Sequence, residues 1–296
     1  MSRLKEMMDE IELQRRLGNF KGAENIARLE LKRAEMDGNE PYYHFYKGLL
    51  WYLYNYPKEA MNNFNNSLLT ENLDIYYVYK FKGIICLETG ELDRAENFFK
   101  RAMSKAKHTR HKDWKMSIET CFGNLYSRMG KFDNALECYQ RALKTALELG
   151  SEEWIETGFC NVGVAHSNLG DHKNAARFLE DAYEVATRIN DKYGKRVCLN
   201  NLASVYNNMG RHEEALELFK EALKYAAEIP DKFGMRILYN NMGYTYRKMG
   251  DLKNAIAQYE KALLTAEEIG DKKGAALAKY WILQLDSELQ RSLAMH

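Results

Sequence analysis

Three stretches set in register decide the architecture. Residues 160–183 read CNVGVAHSNLGDHKNAARFLEDAY, residues 200–223 NNLASVYNNMGRHEEALELFKEAL, and residues 240–263 NNMGYTYRKMGDLKNAIAQYEKAL. Each carries a glycine at the same place, Gly170, Gly210 and Gly250, and the same forty-residue step upstream lands on Gly130 and Gly90. Five residues after each glycine stands Ala95, Ala135, Ala175, Ala215 or Ala255, and twelve after it Ala102, Ala142, Ala182, Ala222 or Ala262. Nine after it comes a large apolar residue: Phe99, Tyr139, Leu179, Phe219 or Tyr259. Seven before it the residue is small (Gly83, Gly123, Gly163, Ala203, Gly243), and four before it stand Cys86, Tyr126, His166, Tyr206 and Tyr246. A register held over five periods marks an internal repeat.

The turn glycine permits the left-handed backbone that ends a helix. The small residues let two antiparallel helices approach closely, and the large residues fill the space beside them. A second stop recurs at Gly150, Asn190, Pro230 and Gly270, each followed by a helix-capping type: Ser151, Asp191, Asp231 or Asp271. One unit is therefore helix, tight turn, helix, tight turn, and a hairpin that cannot bury its apolar face alone must stack. Upstream the register loosens. Gly18 with Ala23 opens one unit; Asn55 replaces the turn glycine of another, with Gly48 before it and Pro57, Ala60 and Phe64 after it. The reading is an all-α, right-handed superhelical solenoid over residues 1–296. It has seven hairpins, ending near residues 38, 72, 110, 150, 190, 230 and 270. Those over 1–72 are less regular, those over 73–270 regular, and a capping helix over 271–296 packs through Leu277, Trp281 and Leu285.

Composition narrows the function. The chain has 43 Lys and Arg against 42 Asp and Glu, which argues against a nonspecific nucleic-acid binder. No apolar run approaches the ~20 residues of a membrane span, and residues 1–12 alternate charge and apolarity, unlike a signal peptide. Three prolines favour long helices, and five cysteines without a CxxC pair suggest reduced thiols in a cytoplasmic protein. No phosphate loop, nucleophile elbow or HExxH motif is present, so no enzyme, cofactor or metal is expected. His108 and His111 lie in a basic segment, Arg101 to Lys115, without ligand-spaced partners, and read as an exposed turn. His166 reads as a packing histidine, and Cys121 and Cys160 as small fillers near the inner face.

The pattern L-G-x-x-Y, turn glycine, A-x-x-x-F-x-x-A resembles the tetratricopeptide repeat, most closely at 161–182 and 201–222. Here the second helix runs on through Ala146, Ala186, Ala226 and Ala266. That longer form resembles the repeats of kinesin light chain, LGN-type adaptors and bacterial Rap-like peptide receptors. The resemblance implies a noncatalytic protein- or peptide-binding scaffold whose first helices line a concave groove. The alternative is a Rap-like signalling-peptide receptor. Pro41 to Gly48 is similar to that family's Tyr-rich segment, although residues 1–38 read as a repeat hairpin rather than an effector bundle. The chaperone-binding carboxylate clamp is broken, because Ile84 follows Lys80 where asparagine is needed, and Asn124 follows Thr120.

On the first helices, positions thirteen, nine, six and two before the turn glycine form a stripe apart from the packing positions. It reads Ser117, Cys121, Asn124, Arg128; Thr157, Asn161, Val164, Asn168; Val197, Asn201, Ser204, Asn208; and Ile237, Asn241, Tyr244, Lys248. Six of these sixteen are asparagine, a mediocre helix former. A carboxamide both donates and accepts, so Asn161, Asn201 and Asn241 could grip an extended peptide backbone whatever its side chains, or else join neighbouring helices. The expected partner is a protein or extended peptide, with neither nucleic acid nor membrane. The rings from Tyr42 to Tyr56 and Tyr76 to Phe81 are core, recognition surface or a self-association contact. Replacing Gly210 with Val should cost about 1–2 kcal/mol, because a β-branched residue resists positive φ. Hydrogen exchange should loosen around the sixth and seventh hairpins, and uniform loosening along the chain would contradict the repeat reading.

Overall fold

The structure, a computed structural model, describes residues 3–16, 19–69, 75–107, 109, 111–229 and 231–294. Gly18, His108, Arg110, Pro230 and the hairpin end near residue 72 lie outside the described residues. Among the described residues there are fifteen α-helices, one short 3-10 turn and no strand. They are α1 (Arg3–Arg16), α2 (Phe20–Met36), α3 (Glu40–Leu53), α4 (Pro57–Asn66), α5 (Ile75–Glu88), α6 (Leu92–Lys107), α7 (Lys112–Arg128), α8 (Phe132–Leu149), α9 (Glu152–Asn168), α10 (His172–Arg188), α11 (Lys192–Asn208), α12 (His212–Glu228), α13 (Lys232–Lys248), α14 (Leu252–Glu268) and α15 (Lys272–Ala294). Seven pairs and a final helix match the expected count. The chain divides into two compact units, residues 1–158 and 159–296.

Each turn is built as the glycine register requires. Gly90, Gly130, Gly170, Gly210 and Gly250 all have positive φ, between 71° and 84°, and Asn55 takes the same conformation at 63° in place of glycine. The following N–H closes back on the carbonyl four residues before the glycine: Lys131 to Tyr126 at 2.9 Å, Asp171 to His166 at 2.9 Å, Arg211 to Tyr206 at 2.9 Å. That six-to-one bond satisfies a carbonyl the helix end would otherwise leave unpaired. Within the hairpins a Cβ on Gly123 would stand 2.3 Å from the Tyr139 ring, on Gly83 2.4 Å from Phe99, and on Gly163 2.8 Å from Leu179. The repeated alanines of the second helices are buried throughout.

Between hairpins the caps hold with one exception. Asp191, Asp231 and Asp271 accept the N–H of Gly194, Gly234 and Gly274 at 2.8–2.9 Å. Ser151 instead donates its hydroxyl to Glu153. Two of these aspartates, Asp231 and Asp271, serve a second purpose that the sequence reading missed. Arg196 Nε lies 2.9 Å from Asp231 Oδ2, with both side chains at 7% exposure or less, and Arg236 Nε lies 3.0 Å from Asp271 Oδ2. Each guanidinium also lies over an aromatic ring three residues earlier, Arg196 on Tyr193 and Arg236 on Phe233, both at 4.6 Å. Gly234 makes room, since a Cβ there would meet Asp231 at 2.3 Å and Arg196 at 2.9 Å. The sequence D-K-[YF]-G-x-R at 191–196 and 231–236 thus ties one first helix to the next.

The final helix caps the array through two of the three residues expected, Trp281 and Leu285, with Ala278 in place of Leu277. Leu277 is 49% exposed, while Ala278 and Leu285 are buried and Trp281 stacks on Tyr259 at 6.3 Å. The aromatic-rich hairpins are mainly core: Phe45, Tyr46, Tyr76, Tyr77 and Phe81 are buried, Phe64 stacks on Phe81 at 5.8 Å and Tyr76 on Trp114 at 4.3 Å. Tyr56 is exposed.

Replacing Arg196 with Met strands Asp231 as a buried, unpaired carboxylate. Urea unfolding should show a loss of about 3–5 kcal/mol. The same replacement at Lys232, whose exposed ammonium meets Glu268 at 2.9 Å, should change stability by less than about 1 kcal/mol.

Candidate peptide-binding face

In the C-terminal unit the asparagine stripe falls on α9, α11 and α13, whose packing residues hold the helices side by side. Alternate burial along α11 shows why the stripe is half-open. Leu199, Leu202, Ala203 and Val205 point into the core, while Asn201 and Ser204 are partly buried and Asn208 is exposed. Asn161 and Asn241 take the same half-buried position, and Asn168 and Lys248 are exposed in their last turns.

The amides are linked across helices. Asn241 Nδ2 donates to Asn200 Oδ1 at 2.8 Å, Asn200 Nδ2 to Asn201 Oδ1 at 3.3 Å, and Asn201 Nδ2 to Cys160 Sγ at 3.3 Å. The chain thus runs from α13 through α11 to α9. Asn200, one residue before the stripe, is a member that the sequence reading passed over, and the doubled Asn200–Asn201 and Asn240–Asn241 were its signal. The Asn200–Asn201 bond is long, and the sulfur acceptor of Asn201 is weak. Among the described residues no hydrogen bond reaches the Asn161 amide. The chain stops at the cap: Asn240 Oδ1 is buried without a partner. The donor that Asn241 gives Asn200 would come to Asn240 from position 281, where the residue is Trp281.

At one end of the stripe Tyr244, 37% exposed, carries Arg247 at 5.3 Å and Lys248 at 5.5 Å from its ring centre. The Arg247 guanidinium also lies 4.3 Å from the Trp281 ring. This end presents an apolar ring flanked by cations. The two predicted residues of the N-terminal unit are engaged elsewhere. Asn124 accepts from the Tyr139 hydroxyl at 2.7 Å, and Arg128 donates to the Leu87 carbonyl at 2.8 Å, closing the end of α5.

Two thiols and one histidine are held in packed surroundings. Burial pushes the Cys121 and Cys138 thiols up to about 11, so neither is a thiolate at neutral pH. His166 stacks on Phe178 at 5.4 Å and meets Asp171 at 3.1 Å, a packed histidine bonded to a helix cap. Among the described residues no cluster of three or more His, Cys, Asp or Glu could hold a metal ion, and no helix is long and apolar enough to cross a membrane.

A family sequence model described as Tetratricopeptide repeat matches residues 115–188, 154–228 and 195–268, together just over half of the chain. No curated protein sequence matches it. Among solved structures, a Rap protein complexed with competence and sporulation factor superposes with a TM-score of 0.66 at 15% identity, covering 97% of this chain and 86% of that one. A Rap conjugation gene regulator of the plasmid pLS20, in complex with the Phr* peptide, gives 0.61 at 17% identity over 85% and 74%. Aspartyl phosphate phosphatase F from Bacillus subtilis gives 0.59 at 11% identity over 88% and 74%. At these identities the likeness is one of fold.

The broken end of the amide chain gives a test. Replacing Asn240 with Leu removes a buried carbonyl that has no donor, so stability should hold or rise. Replacing Asn200 with Leu strips partners from Asn241 and Asn201 and should cost about 1–3 kcal/mol. Thermal melts of the two variants should move apart; equal losses would refute this account of the chain.

Proposed function

The chain belongs to the tetratricopeptide repeat family, and from that premise we propose that it is a noncatalytic scaffold that holds an extended peptide segment along the asparagine face of its C-terminal unit. The observation that carries this reading is the row Asn161, Asn201 and Asn241, repeated once per hairpin on half-open helices. A peptide in extended form offers alternating N–H and C=O groups, and a row of carboxamides can meet both without reference to side chains. The internal amide bonds of 3.3 Å are weak enough to yield to a backbone partner, and Asn161 needs none displaced. Asn168, Asn208, Tyr244 and Lys248 border the row and would set preference, with the cations beside Tyr244 favouring an acidic or aromatic flank.

A second reading is supported by the likeness to Rap structures, two of which are described as complexes with a signalling factor or peptide. In it the bound peptide changes the packing of the hairpins and so a regulatory output. Scattering with and without peptide separates the two, since a scaffold keeps its profile and a receptor of this kind shifts it.

The binding face is tested with a peptide selected on the full-length protein from a random library. Asn161→Ala should weaken its binding by up to about tenfold, the loss of roughly 1.4 kcal/mol in hydrogen bonding, measured by calorimetric titration. Its melting temperature should stay put, because this amide supports no neighbour. Unchanged affinity in both Asn161→Ala and Asn201→Ala would defeat the proposal and leave the asparagines as struts.

A further inference from the structure

Helix α1 departs most from the repeat. Counting from Gly18, the place where the regular hairpins carry glycine or alanine is held by Ile11. Its apolar residues Leu4, Met7, Met8 and Ile11 follow the i, i+3, i+4, i+7 spacing, and all four are buried. Its charged residues meet the neighbouring helix and also reach well beyond it. Arg3 meets Glu30 on α2 at 3.1 Å, Lys5 meets Asp113 in the first turn of α7 at 3.1 Å, and Glu12 accepts from Lys80 in the middle of α5. Lys5 also meets Asp9 on its own helix at 3.0 Å.

These contacts place α1 along the inner face of the N-terminal unit. Lys80 stands ten residues before its turn glycine, the position of Asn200 and Asn240 in the other unit, and Cys121 is on the stripe itself. Cys121 is only 7% exposed, and its thiol feels the charges of both Lys80 and Glu12. The side chains of Lys5 and Lys80 are 11% and 8% exposed, so each ammonium meets its carboxylate across the contact largely away from water.

We propose that the inner face of α5 and α7 is a helix-binding groove, filled in cis by α1, whose external partner is an amphipathic helix of the same pattern. Such a partner carries apolar residues at i, i+3, i+4 and i+7, a carboxylate for Lys80 and a cation for Asp113. It and α1 exclude one another. The exchange is near balance, because an entering helix restores the buried apolar contacts and both ion pairs that α1 gives up. A fourteen-residue helix has little stability of its own and stays seated because it is tethered, which sets the affinity a competitor must exceed. This inference does not depend on the asparagine face.

The probe is a fluorescein-labelled peptide with the sequence of residues 1–18, added to the full chain and followed by anisotropy. The double variant Met8→Glu/Ile11→Glu, which unseats α1, should bind it at least tenfold more tightly than the unaltered protein. Adding Lys80→Glu should remove that binding, and a peptide carrying Glu12→Lys should restore it. A helical, cooperatively melting double variant that ignores the peptide would overturn the proposal, as would equal binding by the unaltered protein. Should the double variant fail to fold, hydrogen exchange of the unaltered chain decides. Amides of α1 should exchange through an opening of their own, ahead of α5 and α7, and exchange only in step with those helices would refute a displaceable α1.

Discussion

The approach of a large side chain on the second helix to a bare backbone on the first governs these hairpins. At Gly83, Gly123 and Gly163 an added Cβ would lie under 3 Å from Phe99, Tyr139 and Leu179, distances that real side chains do not tolerate. Closing the helices this far buries the alanines five and twelve residues after the turn, which are too small to reach across a wider gap. The turn follows from the same constraint, since two helices so near and antiparallel leave room for a two-residue reversal whose pivot has positive φ. Where glycine is missing, asparagine is the substitute that best tolerates this conformation, as at Asn55 and Asn190.

Between hairpins the constraint changes from shape to charge. The interface of α11 with α13 is crossed by a guanidinium that faces a ring on one side and a carboxylate on the other, and that carboxylate is already the cap of the next helix. One aspartate thereby starts one helix and fastens another to it. Burying the pair gains less than packing would, but breaking it is costly, and that asymmetry fixes the register between successive first helices. The pairs at the outer turns, such as Lys192 with Glu228 at 2.8 Å, are exposed and contribute little.

How much of this was legible in the sequence follows from what each feature depends on. The turn glycines, the small-to-large pairing and the aspartate caps are local or recur at one period, so five aligned copies expose them. Arg196 with Asp231 joins residues on different helices, and nothing in either copy alone names the partner; the signal was the shared D-K-[YF]-G-x-R string, read only as a cap. Leu277 failed for a geometric reason, because it and Ala278 are adjacent on the helix and apolarity favoured the larger one, whereas the approach of α14 selected the smaller. The reach of α1 to Asp113 and Lys80 was invisible, since α1 has no second copy and its charges resemble those of any solvated helix. Of the candidate face, the row of asparagines was legible, but not its links, because Asn200 lies outside the stripe that helical spacing picks out.

Those links bear on how such a face works when empty. A primary amide buried halfway and left unpaired is costly, and three in a row would invite collapse of the stripe. Bonding Asn201 and Asn241 to their neighbours keeps that part of the row open at little expense, since the Asn200–Asn201 bond is long and the other acceptor of Asn201 is sulfur. At Asn201 and Asn241 an entering peptide backbone exchanges hydrogen bonds rather than adding them, so the net gain at those two amides is small. On the proposed reading, affinity must then come from the ends of the row, where Tyr244 offers apolar area and Arg247 and Lys248 offer charge. The middle of the row supplies register and tolerance of sequence, and the flanks supply strength and choice.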